Sequence, residues 1–182
     1  AYYGKGLYYE AIREFQKILD LSPDSLMTRY RLGLAYSAIN DKTRAIKEYE
    51  KAIDLNPNMI PARLKLASIY LDRGSYNEAI LQCRKALDLD AKNAEAYYIL
   101  GKIYASRNQI KNAIDELQKS LSFNPEFAKA REELGDIYYS QKMFDRAINE
   151  YSMAIKIDPN LLSGSQKLGK IYEDLGKYDE AI

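Results

Sequence analysis

The sequence predicts an all-α solenoid of helix–turn–helix repeats, each 34 residues long. A tyrosine recurs at this interval through the whole chain, at Tyr2, Tyr36, Tyr70, Tyr104, Tyr138 and Tyr172. An alanine keeps the same interval at Ala11, Ala45, Ala79, Ala113, Ala147 and Ala181. Periods of about 20 to 50 residues are typical of solenoids, in which stacked units bury each other's apolar faces. We therefore expect a single solenoid domain over residues 1–182.

Each repeat contains two stretches of apolar residues with the spacing of an amphipathic helix. In the segment that begins at Ala94, the first stretch is marked by Tyr97, Leu100 and Tyr104. The second stretch is marked by Ile110, Ala113, Ile114, Leu117 and Leu121. Both stretches have the length of a helix of about fourteen residues, so each repeat is predicted to be a helical hairpin.

Residues that favour turns separate the predicted helices. The first helix is expected to end at a column that holds Asn40, Gly74, Asn108 and Gly176. Glycine and asparagine best tolerate the left-handed backbone found there. Prolines are expected to follow the second helices, at Pro23, Pro57, Pro125 and Pro159. Ser75 with Glu78 predicts a capping box, and Pro61 is compatible with the first turn of a helix.

A column of small residues lies inside the first helices. It holds glycine at Gly33, Gly101, Gly135 and Gly169. We expect these glycines to face alanines of the second helices, at Ala45, Ala113, Ala147 and Ala181. Two helices approach closely only where side chains are minimal, so this column predicts backbone-to-backbone packing within each hairpin.

Composition excludes several functions. The chain has no histidine, which removes the commonest general base and metal ligand, so we predict no enzyme activity, no metal and no cofactor. A net charge of +1 gives no basic surface for nucleic acid, and no apolar run is long enough to span a membrane. Cys83 lies in an apolar column and is expected to be a buried hydrophobe without a disulfide.

These residues resemble the tetratricopeptide repeat family, whose pattern is an aromatic residue, Leu-Gly, Tyr, Ala, an aromatic residue and Pro. One segment carries the pattern almost directly, at Tyr97, Leu100, Gly101, Tyr104, Ala113, Leu117 and Pro125. The resemblance implies a partial repeat over 1–25, full repeats over 26–59, 60–93, 94–127 and 128–161, and a truncated repeat over 162–182. The chain departs from the family at the first aromatic position, which holds Arg29, Arg63, Arg131 and Ser165. We expect these arginines to pack their alkyl stems and keep their guanidinium groups in water.

The resemblance implies a right-handed superhelix whose first helices line a concave groove, and a role as a protein-interaction scaffold. Three stripes of first-helix positions are predicted to face this groove. The residues predicted to bind a partner are Tyr30, Leu34, Leu64, Leu71, Tyr98, Lys102, Glu132, Asp136 and Tyr139. The groove is expected to be apolar in its amino-terminal half and to carry both signs of charge in its carboxy-terminal half. Such a surface suits an extended or helical peptide with apolar anchors followed by charged residues.

A plainer interpretation of the same residues stays open. Tyr30 and Tyr98 are also frequent family residues, so both could serve packing alone. Adjacent carboxylates such as Glu132 and Glu133 are interpreted as a solvated helix face. The clamp of lysines, asparagines and arginine with which chaperone adaptors of the family hold a carboxylate tail is missing from the matching positions.

Assembly is the alternative function. The sequence opens near the close of a first helix and stops near the start of a second, which is expected either of a piece of a longer chain or of units that stack end to end into an oligomer or filament. The residues predicted to form such contacts are Tyr2, Tyr8, Leu175 and Tyr178. Localisation is unassigned: the cytoplasm is the default, and a bacterial envelope or extracellular location is compatible with the sequence.

Overall fold

Ten α-helices form the part of the chain that the computed structural model describes, residues 6–176, and no strand occurs in this part. The helices are α1 (Tyr8–Leu21), α2 (Leu26–Ala38), α3 (Lys42–Leu55), α4 (Ile60–Asp72), α5 (Tyr76–Leu89), α6 (Ala94–Ser106), α7 (Ile110–Phe123), α8 (Ala128–Ser140), α9 (Phe144–Ile157) and α10 (Leu162–Asp174). The even-numbered helices are the first helices of the repeats, and the odd-numbered helices are the second. The predicted all-α repeat fold is confirmed.

The chain divides into two compact units. The first unit runs to Ala91 and contains α1 to α5, while the second begins at Lys92 and contains α6 to α10. In the first unit, α2 packs on α1 and α3, and α4 packs on α3 and α5. In the second, α6 packs on α7, α8 on α7 and α9, and α10 on α9. Each unit has its own apolar core, and fully buried alanines from both helix types contribute to it.

The turns between first and second helices adopt the predicted left-handed backbone. The φ angles are 59° at Asn40, 74° at Gly74, 57° at Asn108 and 71° at Gly176. Lys142 has the same conformation, with φ of 58°, although its residue type gives no sign of it. The repeat fixes this conformation, because the next amide, that of Met143, donates a hydrogen bond of 2.9 Å to the carbonyl of Tyr138.

The helices begin where the sequence predicts, but one predicted N-terminal cap does not form its hydrogen bond. Pro61 lies in the first turn of α4, as expected. Ser75 precedes α5, but its hydroxyl makes no capping hydrogen bond, so the predicted capping box is wrong. Asp41 has a similar backbone conformation, and its longer side chain accepts a 3.0 Å hydrogen bond from the amide of Arg44.

A large side chain of the second helix lies nearest to Gly33, Gly101 and Gly135 of the small column. A Cβ atom on Gly33 or Gly135 would lie 2.6 Å from a ring carbon of Tyr49 or Tyr151, respectively. On Gly101 it would lie 2.6 Å from Leu117. On Gly101 it would also lie 3.3 Å from the backbone oxygen of Ala113, so the predicted close approach of the two backbones is present there. The side chain one turn after the alanine adds to this contact by lying over the glycine. Ala181, the predicted partner of Gly169, lies outside the described residues.

Side-chain volumes compensate each other across this contact. Tyr49, Leu117 and Tyr151 are almost completely buried, and each faces a glycine. At the same spacing in the remaining hairpin the small column holds Ala67, and the second helix holds Cys83. Both residues are fully buried, and burial raises the pKa of the Cys83 thiol to about 12. The prediction of Cys83 as a buried hydrophobe agrees with this environment.

The arginines at the first aromatic position form hydrogen bonds and do not reach into water as predicted. Arg29 donates to Glu48 at 3.0 Å, and Arg131 donates to Glu150 at 3.1 Å and to the carbonyl oxygen of Pro125. Arg63 makes the equivalent bonds to Gln82 and to the carbonyl of Pro57. In each case the partner on the second helix lies 19 residues further along the chain. The guanidinium therefore joins the two helices of a hairpin and, at Arg63 and Arg131, the loop before it.

Replacing Gly135 with alanine should lower the free energy of unfolding by about 1–3 kcal/mol, because the added methyl group overlaps the buried ring of Tyr151. The penalty should disappear when Tyr151→Cys is introduced as well, since this pair then matches Ala67 and Cys83. Urea denaturation of the four proteins of this cycle measures the interaction. An equal penalty in both backgrounds would show that the ring does not limit the space at position 135.

Replacing Arg131 with alanine should lower the free energy of unfolding by about 1–3 kcal/mol, because it leaves Glu150 and the carbonyl of Pro125 without their donor. Glu150→Gln is the matched control and should have a smaller effect, since Arg63 donates to a glutamine in the same way. Thermal melts followed by circular dichroism compare the two variants. A larger loss for Glu150→Gln than for Arg131→Ala would contradict the assignment.

Candidate functional site

Side chains from α6, α8 and α10 come together on one face of the second unit. We call it the acidic face and define it by Tyr98, Lys102, Glu132, Glu133, Asp136, Tyr139 and Lys167. Four of the predicted partner-binding residues, Tyr98, Lys102, Glu132 and Asp136, are joined here by hydrogen bonds, a cation–π contact or electrostatic interaction. All of the residues of the acidic face are partly exposed.

A polar network joins α8 to α10 on this face. The ammonium of Lys167 donates hydrogen bonds to Glu132 at 2.9 Å and to Asp136 at 2.8 Å. Asp136 also accepts a 2.6 Å hydrogen bond from the hydroxyl of Tyr151 on α9. Further along α8, the hydroxyl of Tyr139 donates to Asp174 at 2.7 Å. The predicted positions Asp136 and Tyr139 therefore already have internal partners.

Tyr98 contributes the aromatic ring of α6 to the acidic face. Its ring centroid is 5.0 Å from that of Phe127, and the ammonium of Lys102 lies 5.6 Å from the Tyr98 centroid. Burial raises the pKa of the Tyr98 hydroxyl to about 12, and the charges of Glu133, Glu132, Glu95 and Asp136 act in the same direction. The surroundings of this hydroxyl are therefore negatively charged.

Glu132 and Glu133 are neighbours with opposite environments, so their interpretation as a solvated helix face is wrong. Burial raises the pKa of Glu133, and only the more distant charges of Lys102 and Lys167 oppose this. Burial would also raise the pKa of Glu132, but hydrogen bonds from Ser163 and Lys167 hold it below its ordinary value. Glu133 makes no hydrogen bond or ion pair with any residue between 6 and 176.

Sequence reasoning missed Glu133 and Lys167 as members of the site. Both lie in a column that also holds Arg31, Lys65 and Ile99. The available signal was the opposite charge of Glu132 and Lys167, which are 35 residues apart, one more than the repeat length. A contact between adjacent first helices needs this offset, because each repeat is displaced from the one before it.

The remaining predicted groove residues lie in the first unit. Tyr30 and Leu34 on α2 are half-buried and pack against the core of this unit, and the Tyr30 ring lies 5.8 Å from that of Tyr49. Leu71 on α4 is also partly exposed. Leu64 is only 4% exposed, so it offers a partner almost no surface. That a single groove is apolar in its amino-terminal half and charged in its carboxy-terminal half stays a prediction.

Two of the four predicted assembly residues, Tyr2 and Tyr178, lie outside the described residues. Tyr8 is half-buried in the first turn of α1. Leu175 follows α10, is 39% exposed and lines a shallow depression with Met143 and Phe144. End-to-end assembly stays a prediction.

Between residues 6 and 176 the chain has neither a cluster of metal-binding side chains nor a membrane-spanning helix. No group of three acidic, cysteine or histidine side chains between residues 6 and 176 is arranged to hold a metal ion. In the same part of the chain, every helix is too short or too polar to span a membrane.

Protein-family models match most of the chain. The TPR repeat model matches residues 67–106, 101–142 and 135–176, and the tetratricopeptide repeat model matches residues 28–59. Together, the three matches of the first model cover more than half of the sequence. A search of curated protein sequences gives no significant match.

Solved structures share the fold. MamA is 37% identical in an alignment that covers 82% of this chain and 88% of that chain, with a TM-score of 0.66. YrrB, described as a TPR protein with an unusual peptide-binding site, is 23% identical over 92% of this chain and 87% of its own, with a TM-score of 0.62. The Cut9–Hcn1 hetero-tetramer of APC/C is 22% identical, covers 97% of this chain and 35% of that chain, and has a TM-score of 0.86. At these identities the last two show similarity of fold alone.

Replacing Glu133 with glutamine should raise the free energy of unfolding at neutral pH, because it removes a carboxylate that is harder to ionise in the folded state. The gain should be largest above the pKa of Glu133 in the folded protein. It should shrink as the pH falls towards about 4, where the carboxyl group becomes protonated in both states. Urea denaturation at a series of pH values measures this dependence.

Glu132→Gln is the matched control, at the adjacent position and with the same chemical change. The lowered pKa of Glu132 means that its ionised form contributes stability, which is lost as the pH falls through that pKa. This variant should therefore be destabilised at neutral pH. Shifts of the same sign in both variants would contradict the two environments.

Proposed function

Because this chain belongs to the tetratricopeptide repeat family, we propose that it is a scaffold that binds an extended or helical segment of a partner protein on its first helices. Proteins of this family generally mediate protein–protein interactions and are generally non-enzymatic. In the second unit the first helices α6, α8 and α10 lie beside one another, so their exposed positions form a surface on which a peptide segment can bind.

The acidic face is the observation that carries this proposal. It combines a partly exposed aromatic ring at Tyr98 with the charged groups of Lys102 and Glu133, which make no ion pair or hydrogen bond within residues 6–176. Aromatic side chains supply contact area, and charged groups select the partner. A surface that served packing alone would have no need of Glu133, because burial disfavours its ionised form.

The first unit has partly exposed apolar residues of its own on its first helices. Tyr30, Leu34 and Leu71 are partly exposed first-helix residues, and they suit apolar anchors of a bound segment. YrrB, which shares the fold, is described as having a peptide-binding site. Leu64 is left out of this set, because its buried side chain acts through packing.

The test uses a random-sequence peptide library displayed on phage and selected on the immobilised protein. Synthetic copies of the selected peptides should bind the wild-type protein in fluorescence anisotropy, and Tyr98→Ala should weaken binding about tenfold or more, as expected for an aromatic anchor. Circular dichroism establishes that the variant is folded, because Tyr98 also packs on Phe127. Lys102→Glu reverses one charge of the acidic face without removing the contact between Tyr98 and Phe127, and it should change the affinity of a peptide that binds there in the direction set by the charge of that peptide.

Tyr9→Ala is the control. Tyr9 is 72% exposed on α1, a second helix, so its loss should leave peptide binding unchanged. Peptides whose affinity depends on Tyr9, and not on Tyr98 or Lys102, would place binding elsewhere and refute the proposal. Failure to select any peptide over a blank surface would refute it as well.

A further inference from the structure

We propose that the acidic face recognises a segment that carries a lysine or arginine, with Glu133 receiving the cationic group and Tyr98 packing against the alkyl stem. This inference rests on the proposed function, because it names the chemical class of the segment that binds there. The occupant is a basic peptide segment of a protein partner.

Charge complementarity is the first argument. Four carboxylates act on the hydroxyl of Tyr98, namely Glu95, Glu132, Glu133 and Asp136. Glu95 lies outside the residues that define the acidic face. Within that set, the three carboxylates of Glu132, Glu133 and Asp136 face the two ammonium groups of Lys102 and Lys167. The face therefore carries an excess of negative charge, although the chain as a whole has a net charge of +1. An incoming cationic side chain is attracted to it, and an acidic segment is repelled.

The distribution of internal partners singles out Glu133. The ammonium of Lys167 donates hydrogen bonds to both Glu132 and Asp136, and Asp136 also accepts a hydrogen bond from the hydroxyl of Tyr151. Glu133 is half-buried and lies beside these groups, yet it has no donor of its own within residues 6–176. A guanidinium or ammonium group from a partner would supply that donor.

Tyr98 already holds a cation in this structure. The ammonium of Lys102 lies 5.6 Å from its ring centroid, close enough for a cation–π interaction, and it makes no ion pair within the described residues. The ring and its surrounding carboxylates are thus suited to a positively charged group. Because the Lys102 ammonium occupies the position over the Tyr98 ring, its removal should increase the affinity for a cationic partner.

The experiment repeats the phage selection in parallel on the wild-type protein and on Glu133→Gln. Peptides selected on the wild type should be enriched in lysine and arginine relative to the unselected library, and the enrichment should be lost on Glu133→Gln. In anisotropy titrations, a selected peptide should bind Glu133→Gln about tenfold more weakly than the wild type. It should bind Lys102→Met more tightly than the wild type.

Glu50→Gln is the matched control, because Glu50 is an exposed glutamate on α3, a second helix of the first unit. It should leave affinity and selection unchanged. An equal loss in Glu50→Gln and Glu133→Gln would show that the attraction is nonspecific and overturn the inference. Tighter binding of peptides rich in aspartate and glutamate would also overturn it.

The two proposals fail in different ways. If the selected peptides need Tyr98 but show no preference for basic residues, the peptide-binding scaffold is supported and the recognition of a basic segment is refuted. Failure to select any peptide on the wild-type protein would refute both proposals.

Discussion

The contact between the small column and the side chain that faces it sets the geometry on which the rest of the structure depends. At Gly33, Gly101 and Gly135 even a methyl group would overlap a buried tyrosine or leucine of the second helix. The distance between the two helices of a hairpin is therefore fixed by one pair of side chains. Ala67 with Cys83 divides the space differently, with a larger residue on the first helix and a smaller one on the second. Interiors are closely packed, so a change of one methyl group at this contact affects both helices.

Polar groups complete each hairpin where the family pattern is broken. Arginine replaces an aromatic residue at positions 29, 63 and 131, and its guanidinium bonds to a glutamate or glutamine on the second helix. At Arg63 and Arg131 it also bonds to the carbonyl of the proline loop that precedes the hairpin. A stacked ring is thereby replaced by directional hydrogen bonds between the same elements. Tyr97 is the aromatic residue of the family pattern at this position, and it stacks on Phe123 with ring centroids 5.6 Å apart.

The acidic face shows a different use of polar groups. Lys167, Glu132, Asp136 and Tyr151 satisfy one another and hold α10 against α8 and α9. Glu133 stands outside this network, and its burial works against its ionised form. An ionisable side chain that lowers stability without an internal partner is common where function requires it. The contrast between two adjacent glutamates is therefore more informative than the number of acidic residues on the surface.

The sequence by itself determined the repeat length, the position of every helix and the left-handed turns at glycine and asparagine, because these depend on periodicity and on backbone preferences of single residues. It also predicted the residues that meet at Tyr98, Lys102, Glu132 and Asp136. Tertiary structure alone decided that tyrosine and leucine side chains lie over the glycines, and that the arginines are bonded to the second helix. It also decided that Glu132 is paired while Glu133 is not, and that Lys142 adopts a left-handed backbone. These features depend on distances between separate helices or on the geometry a repeat imposes on its turn, and a linear pattern of residue types does not contain them.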